Sequence, residues 1–422
     1  GGGRGWGASS SPAIGNTLRL WSQDNYGEDL IFNVRNGGIY YWDVNYGMNG
    51  RGRALDSLST DTQTPDMAAQ ILVSDRDRHV LAFGANYGNG TTQDPLLIRW
   101  SSQEDPFTWT PSPTNTAGEL RLGSGSAIIK AIETKREIVV FTDSAAYSLQ
   151  YVGAPYAFSV QQIASGINVA GYNCFASVDD SVFWMGRGSF YAYAGQVIPL
   201  NCPIQNHIFD DLNFAQIDHV CAGTLAQYGE IWWFYPSSSS VENDRYVVYN
   251  YQDKLWYYGV LDRSAWIDSS IRKYPLAAAP TTPSYIYCQE CGLNDGSPSG
   301  AENPLSPYIE SSPMDVGDGE NFWFIKRLIP DLSFVDSTSS PGGANPTATF
   351  VMKTQNYPGS NYVSGSSSST ERTATVPVDQ YTQVCDVRLR GRSMVFRIQS
   401  SQWGTRWILG SPRIEGQSDG KR

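Results

Sequence analysis

The stretch EDLIFNVRNGGIYYWDVN, residues 28–45, holds two short apolar runs separated by a turn signal. The runs are Leu30–Phe32 and Ile39–Trp42, and Arg-Asn-Gly-Gly lies between them. Both residues of an Asn-Gly pair adopt positive φ readily, so such a pair between β-branched and aromatic runs is a strong local signal for a β-hairpin. The stretch therefore predicts two antiparallel strands, and the next question is whether the hairpin is repeated.

Similar two-strand patterns follow along the chain as far as residue 293. The first apolar strand of each unit can be anchored at Leu30, Leu81, Ile138, Phe183, Ile231 and Ile286. Successive anchors are 51, 57, 45, 48 and 55 residues apart. A period near 50 residues is typical of a β-propeller, in which each blade is a four-stranded sheet. We predict a propeller of about six blades over residues 16–298, after a Gly/Ser-rich N-terminal segment at 1–15. A β-sandwich with long loops is the alternative.

The composition also favours an all-β chain. The 422 residues include 13 Trp, 25 Tyr, 16 Phe, 41 Gly and 23 Pro, which suits short strands joined by many turns. No run approaches the roughly 18 apolar residues of a membrane-spanning helix, and the first residues lack the apolar middle of a signal peptide. Six scattered cysteines favour folding in a reducing compartment over a disulfide framework.

Residues 294–313 are rich in Gly, Pro and Ser and predict a domain boundary. We assign residues 299–422 to a C-terminal antiparallel β-sheet or sandwich domain with a basic end. The pattern at 384–400 predicts two strands that pair around Gly391 and Arg392. The low-complexity stretch 361–377 predicts an exposed loop.

The charge is unevenly distributed along the chain. The formal net charge is −11, yet residues 381–422 hold 8 Lys and Arg against 3 Asp and Glu, so the other 380 residues carry −16. Alternation along a strand places Arg388, Arg390 and Arg392 on one face, and Lys421 and Arg422 end the chain. These five residues are our candidate docking face for an acidic protein surface. A solvated sheet face is the alternative.

The sequence indicates little catalytic or metal chemistry. Its three histidines lack the spacing of a helical zinc site, and Cys288 and Cys291 form a single C-x-x-C without a second pair, so buried or edge thiols are favoured over zinc. The acidic stretch DVGDGEN (315–321) does not match a calcium-binding loop, and no G-x-S-x-G elbow is present. We predict no catalytic, cofactor or metal site and no enzymatic activity. The alternative is a propeller that binds or cleaves cell-surface glycans, with carboxylates meeting near its axis.

Three stretches resemble the tail nozzle, or tail hub, proteins of short-tailed bacteriophages, also described as packaged-DNA stabilisation proteins. They are LWSQDNYGEDLIFNVRNGGIYYWD (20–43), ESSPMDVGDGENFWFIKRLIPDLSF (310–334) and RGRSMVFRIQSSQWGTRWILGSPRIEGQSDGKR (390–422). They bracket nearly the whole chain, whereas the middle units are similar to the family only in texture. None of them is a catalytic motif.

The resemblance implies a structural virion protein, a homohexameric ring in the viral tail. Such a ring retains packaged double-stranded DNA without sequence-specific contacts and conducts it during ejection. The implied neighbours are the portal-adaptor ring, tail fibres or spikes and a tail-tip plug, with assembly in the host cytoplasm. A conduit benefits from few phosphate contacts, and six copies would carry six times −11, or −66. The stretches Ser101–Pro113, Ser237–Asp244 and Ser364–Thr370 are our candidate contact or gating loops.

Overall fold

The computed structural model describes residues 18–88, 90, 92–153, 156–269, 271–280, 285–295, 303–315, 319–338, 345–356 and 371–421. The chain forms two compact units, one reaching to Gln289 and the other beginning at Glu290. The predicted boundary at residues 298 and 299 falls slightly later. The predicted segment 1–15, the stretch Ser364–Thr370 and Arg422 lie outside the described residues. No helix in the described ranges is long and apolar enough to cross a membrane.

The hairpin at residues 28–45 is present and belongs to the first sheet. In it Leu30 faces Trp42 and Asn33 faces Ile39. The two-residue turn consists of Arg35 and Asn36, and Asn36 has a φ of 55°. The turn thus lies one residue earlier than the predicted Asn-Gly pair. The elements of this region are β1 (Trp21–Tyr26), β2 (Asp29–Val34), β3 (Gly37–Trp42), a 3-10 turn (Val44–Tyr46), β4 (Arg53–Ala54), α1 (Leu55–Leu58) and β5 (Met67–Ala68).

Five further antiparallel sheets follow in chain order among the described residues of the first unit. Sheet 2 contains β6 (Gln70–Val73), β7 (Val80–Phe83), β8 (Leu97–Trp100) and β9 (Gly118–Arg121). Sheet 3 contains β10 (Ile128–Glu133), β11 (Ile138–Thr142), β12 (Ala145–Gly153) and β13 (Ala157–Ser165). Sheet 4 contains β14 (Phe175–Val178), β15 (Ser181–Met185), β16 (Phe190–Tyr193) and β17 (Val197–Leu200).

Sheet 5 contains β18 (Cys221–Leu225), β19 (Glu230–Tyr235), β20 (Arg245–Asn250) and β21 (Leu255–Val260). Sheet 6 contains β22 (Ala265–Ile267), β23 (Leu276–Ala278) and β24 (Ile286–Cys288). The short helices of this part are α2 (Gln205–Asp211) and two 3-10 segments (Phe214–His219 and Ala226–Tyr228). In sheets 2 to 6, each strand pairs with the next one in the chain, which is the meander of a propeller blade.

The first strands of successive sheets lie side by side and are joined by hydrogen bonds. Ser22 Oγ on β1 accepts from the backbone N–H of Ile71 on β6, at 3.0 Å. The Gln70 side chain on β6 bonds to Ala131 on β10. The backbone N–H of Ala222 on β18 donates to the carbonyl of Asn173 just before β14, at 2.8 Å. Sheets that meet through their first strands are the blades of a propeller, so the predicted fold is confirmed and the sandwich alternative for this part of the chain is wrong.

The sequence repeat corresponds to the second strand of each blade. The anchors Leu30, Leu81, Ile138, Phe183 and Ile231 lie on β2, β7, β11, β15 and β19, whereas Ile286 lies on β24, the third strand of sheet 6. The second strands have sheet neighbours on both sides and are largely buried. The first strands carry polar groups that bond to the next blade, so their sequences lack a continuous apolar run.

Aromatic side chains fill the spaces between blades. The rings of Phe141 on blade 3 and Phe175 on blade 4 lie 4.7 Å apart, and Phe190 on blade 4 lies 5.0 Å from Trp233 on blade 5. Trp184 and Trp233 are fully buried. The aromatic load of the sequence therefore serves largely to join blades, as predicted.

The second unit is a two-sheet β-sandwich. One sheet has the order β27-β34-β31-β32, with β28 also on β34, and the other has the order β33-β29-β36. Its core includes Ile325 and Leu389 from one sheet and Phe350 and Ile398 from the other. The strands are β25 (Asn294–Asp295), β26 (Asn303–Pro304), β27 (Tyr308–Glu310), β28 (Met314–Asp315), β29 (Trp323–Ile329), β30 (Leu332–Ser333), β31 (Thr347–Gln355), β32 (Glu371–Asp379), β33 (Cys385–Gly391), β34 (Ser393–Gln399), β35 (Ile408–Leu409) and β36 (Arg413–Ser418).

The predicted pairing of the two strands around Gly391 and Arg392 is wrong. β33 pairs with β29, whereas β34 pairs with β31, so the chain passes from one sheet to the other at this point. The Arg392 backbone N–H donates to the Gln355 carbonyl at 2.8 Å. A Cβ on Gly391 would lie 2.5 Å from the Cβ of Thr354, so only glycine fits this close crossing. Both strands keep their apolar faces on one shared core, which the sequence pattern alone does not distinguish from a hairpin.

Candidate functional site

The outer strand of blade 5 carries an unusual number of exposed apolar side chains. On β21, Leu255 is 62% exposed, Tyr258 is 48% exposed and Val260 is 65% exposed. Among the described residues β21 pairs only with β20, so its other edge is open. An exposed edge strand with large apolar side chains is typical of a protein-binding surface. We call Leu255, Tyr258 and Val260 the blade 5 edge.

Blade 5 holds this edge rigidly from the inside. Trp256, within the same strand, packs on Phe190 at 4.8 Å and on Tyr249 at 4.6 Å between ring centroids. Its Nε1 donates to the Asn201 carbonyl at 2.9 Å. Tyr257 donates through its hydroxyl to Glu230 Oε1 at 2.7 Å. The exposed side chains therefore project from an anchored strand, which lowers the entropy lost when a partner binds.

Blade 6 extends the exposed apolar surface. Ile267 on β22 and Ile286 on β24 are exposed, and so is Ile271 in the connection that follows β22. The sequence analysis did not single out either set of residues. Its signal was present in Leu-Trp-Tyr-Tyr-Gly-Val, where apolar residues fall at both strand parities although the strand is the last of its blade.

The structure brings two of the predicted basic residues together around one aromatic ring. The guanidinium carbons of Arg390 and Arg392 lie 4.1 Å and 4.8 Å from the ring centroid of Phe322. Arg390 Nε also contacts Asp419 Oδ2 at 2.5 Å, and Arg392 Nη2 donates to the Lys421 carbonyl at 3.0 Å. These two arginines thus hold the end of the chain against the second unit.

Two of the predicted docking residues remain at the surface of the second unit. Arg388 is exposed on β33, on the same strand face as Arg390, as alternation predicts. Lys421 is exposed, and its Nζ lies 3.5 Å from Glu320 Oε2. Arg422 lies outside the described residues. The docking role of this face stays a prediction, with Arg388 as its most accessible member.

Two of the predicted contact loops are tied down by internal hydrogen bonds. In Ser101–Pro113, Trp109 is buried and its backbone N–H donates to Asp61 Oδ2 at 2.7 Å. In Ser237–Asp244, the backbone N–H of Ser237 donates to Asp244 Oδ1 at 2.7 Å. Val241 is exposed at the tip of this second turn. A substitution there is a better probe of contact than a deletion of residues 237–240, which would remove buried Ser237.

Acidic side chains cluster where the inner strands of blades 1 to 3 end. Asp24 Oδ2 accepts from the backbone N–H of Val73 at 2.9 Å, and Glu133 Oε1 accepts from the backbone N–H of Asp75 at 3.1 Å. Burial, together with the negative charge of Asp75, raises the pKa of Glu133 to about 7. Since both carboxylates bond to the backbone of blade 2, they act as links between blades.

Within the described ranges, no group of three or more His, Cys, Asp or Glu side chains is placed to hold a metal ion. Cys288 and Cys291 are both exposed. A polar cavity of about 410 Å³ lies beside blades 1 and 2 and is lined by Asp56, Asp61, Asp66 and Asn86 among others. Asp61 already accepts hydrogen bonds from Gln63, Trp109 and Thr110, so its carboxylate is engaged in holding loops.

No protein-family model and no curated protein matches the chain. Among solved structures, the chain is similar to the AfRom2 CNH domain, with 12% identity, a TM-score of 0.38 and coverage of 70% of this chain and 87% of that one. It is similar to Kluyveromyces lactis Hsv2p, with 10% identity, a TM-score of 0.39 and coverage of 65% and 75%. It is also similar to a fungal alcohol oxidase solved with copper, with 10% identity, a TM-score of 0.42 and coverage of 92% and 84%. The propeller assignment rests on the sheet topology described above.

Proposed function

We propose that this protein is a structural subunit of the tail nozzle of a short-tailed bacteriophage. Copies of the chain, six in number, form a ring below the portal-adaptor. The ring retains packaged DNA and conducts it during ejection. It works by shape and charge, without a catalytic step, and it contacts fibres or spikes and a tip plug.

The observation that carries the proposal is the resemblance of the three stretches at 20–43, 310–334 and 390–422 to nozzle proteins. The last two stretches, although far apart in sequence, pair with each other in the second unit. Ile309 on β27 faces Ile398 on β34, and Ile325 on β29 faces Gly416 on β36. Residues that resemble one family at two distant places thus build common sheets, which supports a shared fold for this part of the chain.

The exposed surfaces support assembly into a ring. A ring subunit needs a rigid flank that binds another copy, and the blade 5 edge supplies apolar side chains on an anchored strand. Leu255 and Val260 are each more than half exposed in the single chain. Burial of such side chains at a subunit interface is favourable by roughly 25 cal/mol per Å² of apolar surface.

The charge of the propeller supports a role beside DNA without tight binding. Residues 1–289 hold 18 Lys and Arg against 27 Asp and Glu, a formal net charge of −9. Each cation that meets a phosphate adds affinity that a moving duplex must break again. An acidic wall keeps the duplex mobile within the ring.

Electron microscopy of the native particle that contains this chain tests the proposal. We expect a sixfold ring at the end of a short tail, with density in its bore. A free monomer, or a chain displayed at the tip of a peripheral fibre, would overturn the nozzle assignment. In the second case the glycan-binding alternative becomes the leading hypothesis, and binding to cell-surface glycans is the next measurement.

A further inference from the structure

Arg35 extends from the first blade to the third. It lies in the turn between β2 and β3, and its Nη1 and Nη2 donate to the carbonyls of Ile129 and Ile128 on β10, each at 3.0 Å. Its guanidinium carbon lies 3.8 Å from the ring centroid of Tyr172, which precedes β14. One side chain thus connects blade 1 with blade 3 and with the segment that enters blade 4.

This arrangement leaves donors without acceptors. The Nε of Arg35 is buried and has no hydrogen-bond partner among the described residues. Lys130 directly follows the two carbonyls that Arg35 binds, and in the described part of the chain no acceptor lies within hydrogen-bonding distance of its ammonium group. Buried donors without acceptors destabilise a fold, so such groups usually have a partner that the polypeptide does not supply.

The charges near these donors are also unbalanced. Burial lowers the pKa of Lys130, and the positive charge of Arg35 lowers it further. Burial likewise lowers the pKa of Arg35, whereas Tyr172 and the carboxylate of Asp218 act in the opposite direction. Arginine does not lose its proton in proteins, so a second cation beside it favours a bound anion or a neutral lysine.

We propose that Arg35 and Lys130 form an internal site for a small oxyanion of the phosphate or sulfate type. An oxyanion offers several acceptors to the Arg35 Nε–H and to the Lys130 ammonium group, and it compensates both charges. The bound anion joins blades 1 and 3 and so stiffens the propeller near its inner strands. The site lies within a single chain, and its test does not depend on the nozzle assignment.

Calorimetric titration of the full chain with sodium phosphate, at an ionic strength held constant with chloride, tests this site. We expect saturable binding and a thermal midpoint that rises with phosphate concentration. Lys130→Met should weaken the apparent affinity at least about tenfold, because it removes one of the two cations. Arg35→Lys keeps the charge but removes the Nε donor and should also weaken binding.

The matched control is Lys135→Met, which changes an exposed lysine on the same blade that pairs with Asp179 at 3.1 Å. It should leave phosphate binding unchanged. An absence of saturable binding to the wild-type chain would overturn the proposal, and so would an equal loss in Lys130→Met and Lys135→Met. If Lys130→Met does not fold, the wild-type titration and Arg35→Lys decide. Stabilisation by duplex DNA but not by free phosphate would also refute an internal site.

Discussion

The side chain of Gln70 bonds to both backbone groups of Ala131, and so joins the inner strands of blades 2 and 3. Its Nε2 donates to the Ala131 carbonyl at 2.7 Å, and its Oε1 accepts from the Ala131 N–H at 2.8 Å. Gln70 is buried. A glutamine that imitates a neighbouring strand continues the hydrogen bonding of one blade into the next.

Replacement of Gln70 by Ala should therefore destabilise the propeller. The change leaves a buried N–H and a buried carbonyl without partners, at a cost of about 1–3 kcal/mol in the free energy of unfolding. Urea denaturation followed by tryptophan fluorescence measures the difference. The matched control is Gln161→Ala, at an exposed position on β13. Equal stabilities of the two variants would show that the link contributes nothing.

The aromatic contacts between blades 4 and 5 should contribute strongly to stability. Trp233 is fully buried, stacks between Phe190 and Trp256, and donates through Nε1 to the Cys174 carbonyl at 2.9 Å. Trp233→Ala should lower the free energy of unfolding by about 3–5 kcal/mol, because it opens a large cavity. Trp21→Ala, at a half-exposed position on β1, is the control and should cost much less. A small effect at Trp233 would contradict the wedge role of these rings.

The stability of the propeller should depend on the protonation of Glu133. Its pKa in the folded chain is raised to about 7, above that of an unfolded glutamate, since burial and the nearby Asp75 and Asp24 disfavour the charged form. A folded state that binds more protons than the unfolded state gains stability as the pH falls through 7 toward the unfolded value. Glu133→Gln should remove this part of the pH dependence.

Chemical denaturation between pH 8 and pH 5.5 checks this expectation as the difference between wild type and Glu133→Gln. The difference is needed because His79, whose pKa burial lowers to about 4, has the opposite effect: stability is lost as the pH falls below the unfolded histidine value. Glu104→Gln, at an exposed turn, is the control. Parallel curves for wild type and Glu133→Gln would contradict the assignment.

The blade 5 edge should matter for assembly and not for folding. Leu255→Glu places a charge at a position that is 62% exposed in the single chain, so the thermal midpoint of purified protein should change little. Incorporation into tails should fall sharply, because burial of the new carboxylate at an interface is unfavourable. Particles assembled with the variant, analysed by electron microscopy and immunoblotting, measure incorporation. The control is Val152→Glu on blade 3, also about half exposed, and equal loss in both variants would argue against a specific edge.

The basic residues of the second unit should separate into two classes. Arg390→Gln removes an ion pair with Asp419 and a cation–π contact with Phe322, and should destabilise the second unit by about 1 kcal/mol. Arg388→Gln, two residues earlier and exposed, should leave stability unchanged and reduce binding to an acidic partner. Thermal unfolding and tail incorporation measured on the same pair distinguish the two roles. A loss of stability in Arg388→Gln would rule out a pure docking role.

Much of the fold was predictable because it depends on local patterns. The hairpin at 28–45, the strand-rich period and the all-β class follow from alternating apolar residues and turn signals that lie close together in the chain. The parity of Arg388 and Arg390 on β33 was predictable for the same reason. The pairing partner of β33 was not, because a strand that turns back and a strand that crosses to a facing sheet both present one apolar side to a core.

The functional surfaces were less predictable than the fold. The sequence by itself determined an acidic all-β chain of repeated sheets with a basic end, since charge, composition and period are additive properties of the residues. Only the tertiary structure decided that Arg390 and Arg392 clamp Phe322, that Leu255 and Val260 stay exposed, and that Arg35 reaches the strand of Lys130. Those relationships join residues tens of positions apart, and their energies depend on burial and on the partners that packing brings within a few ångströms.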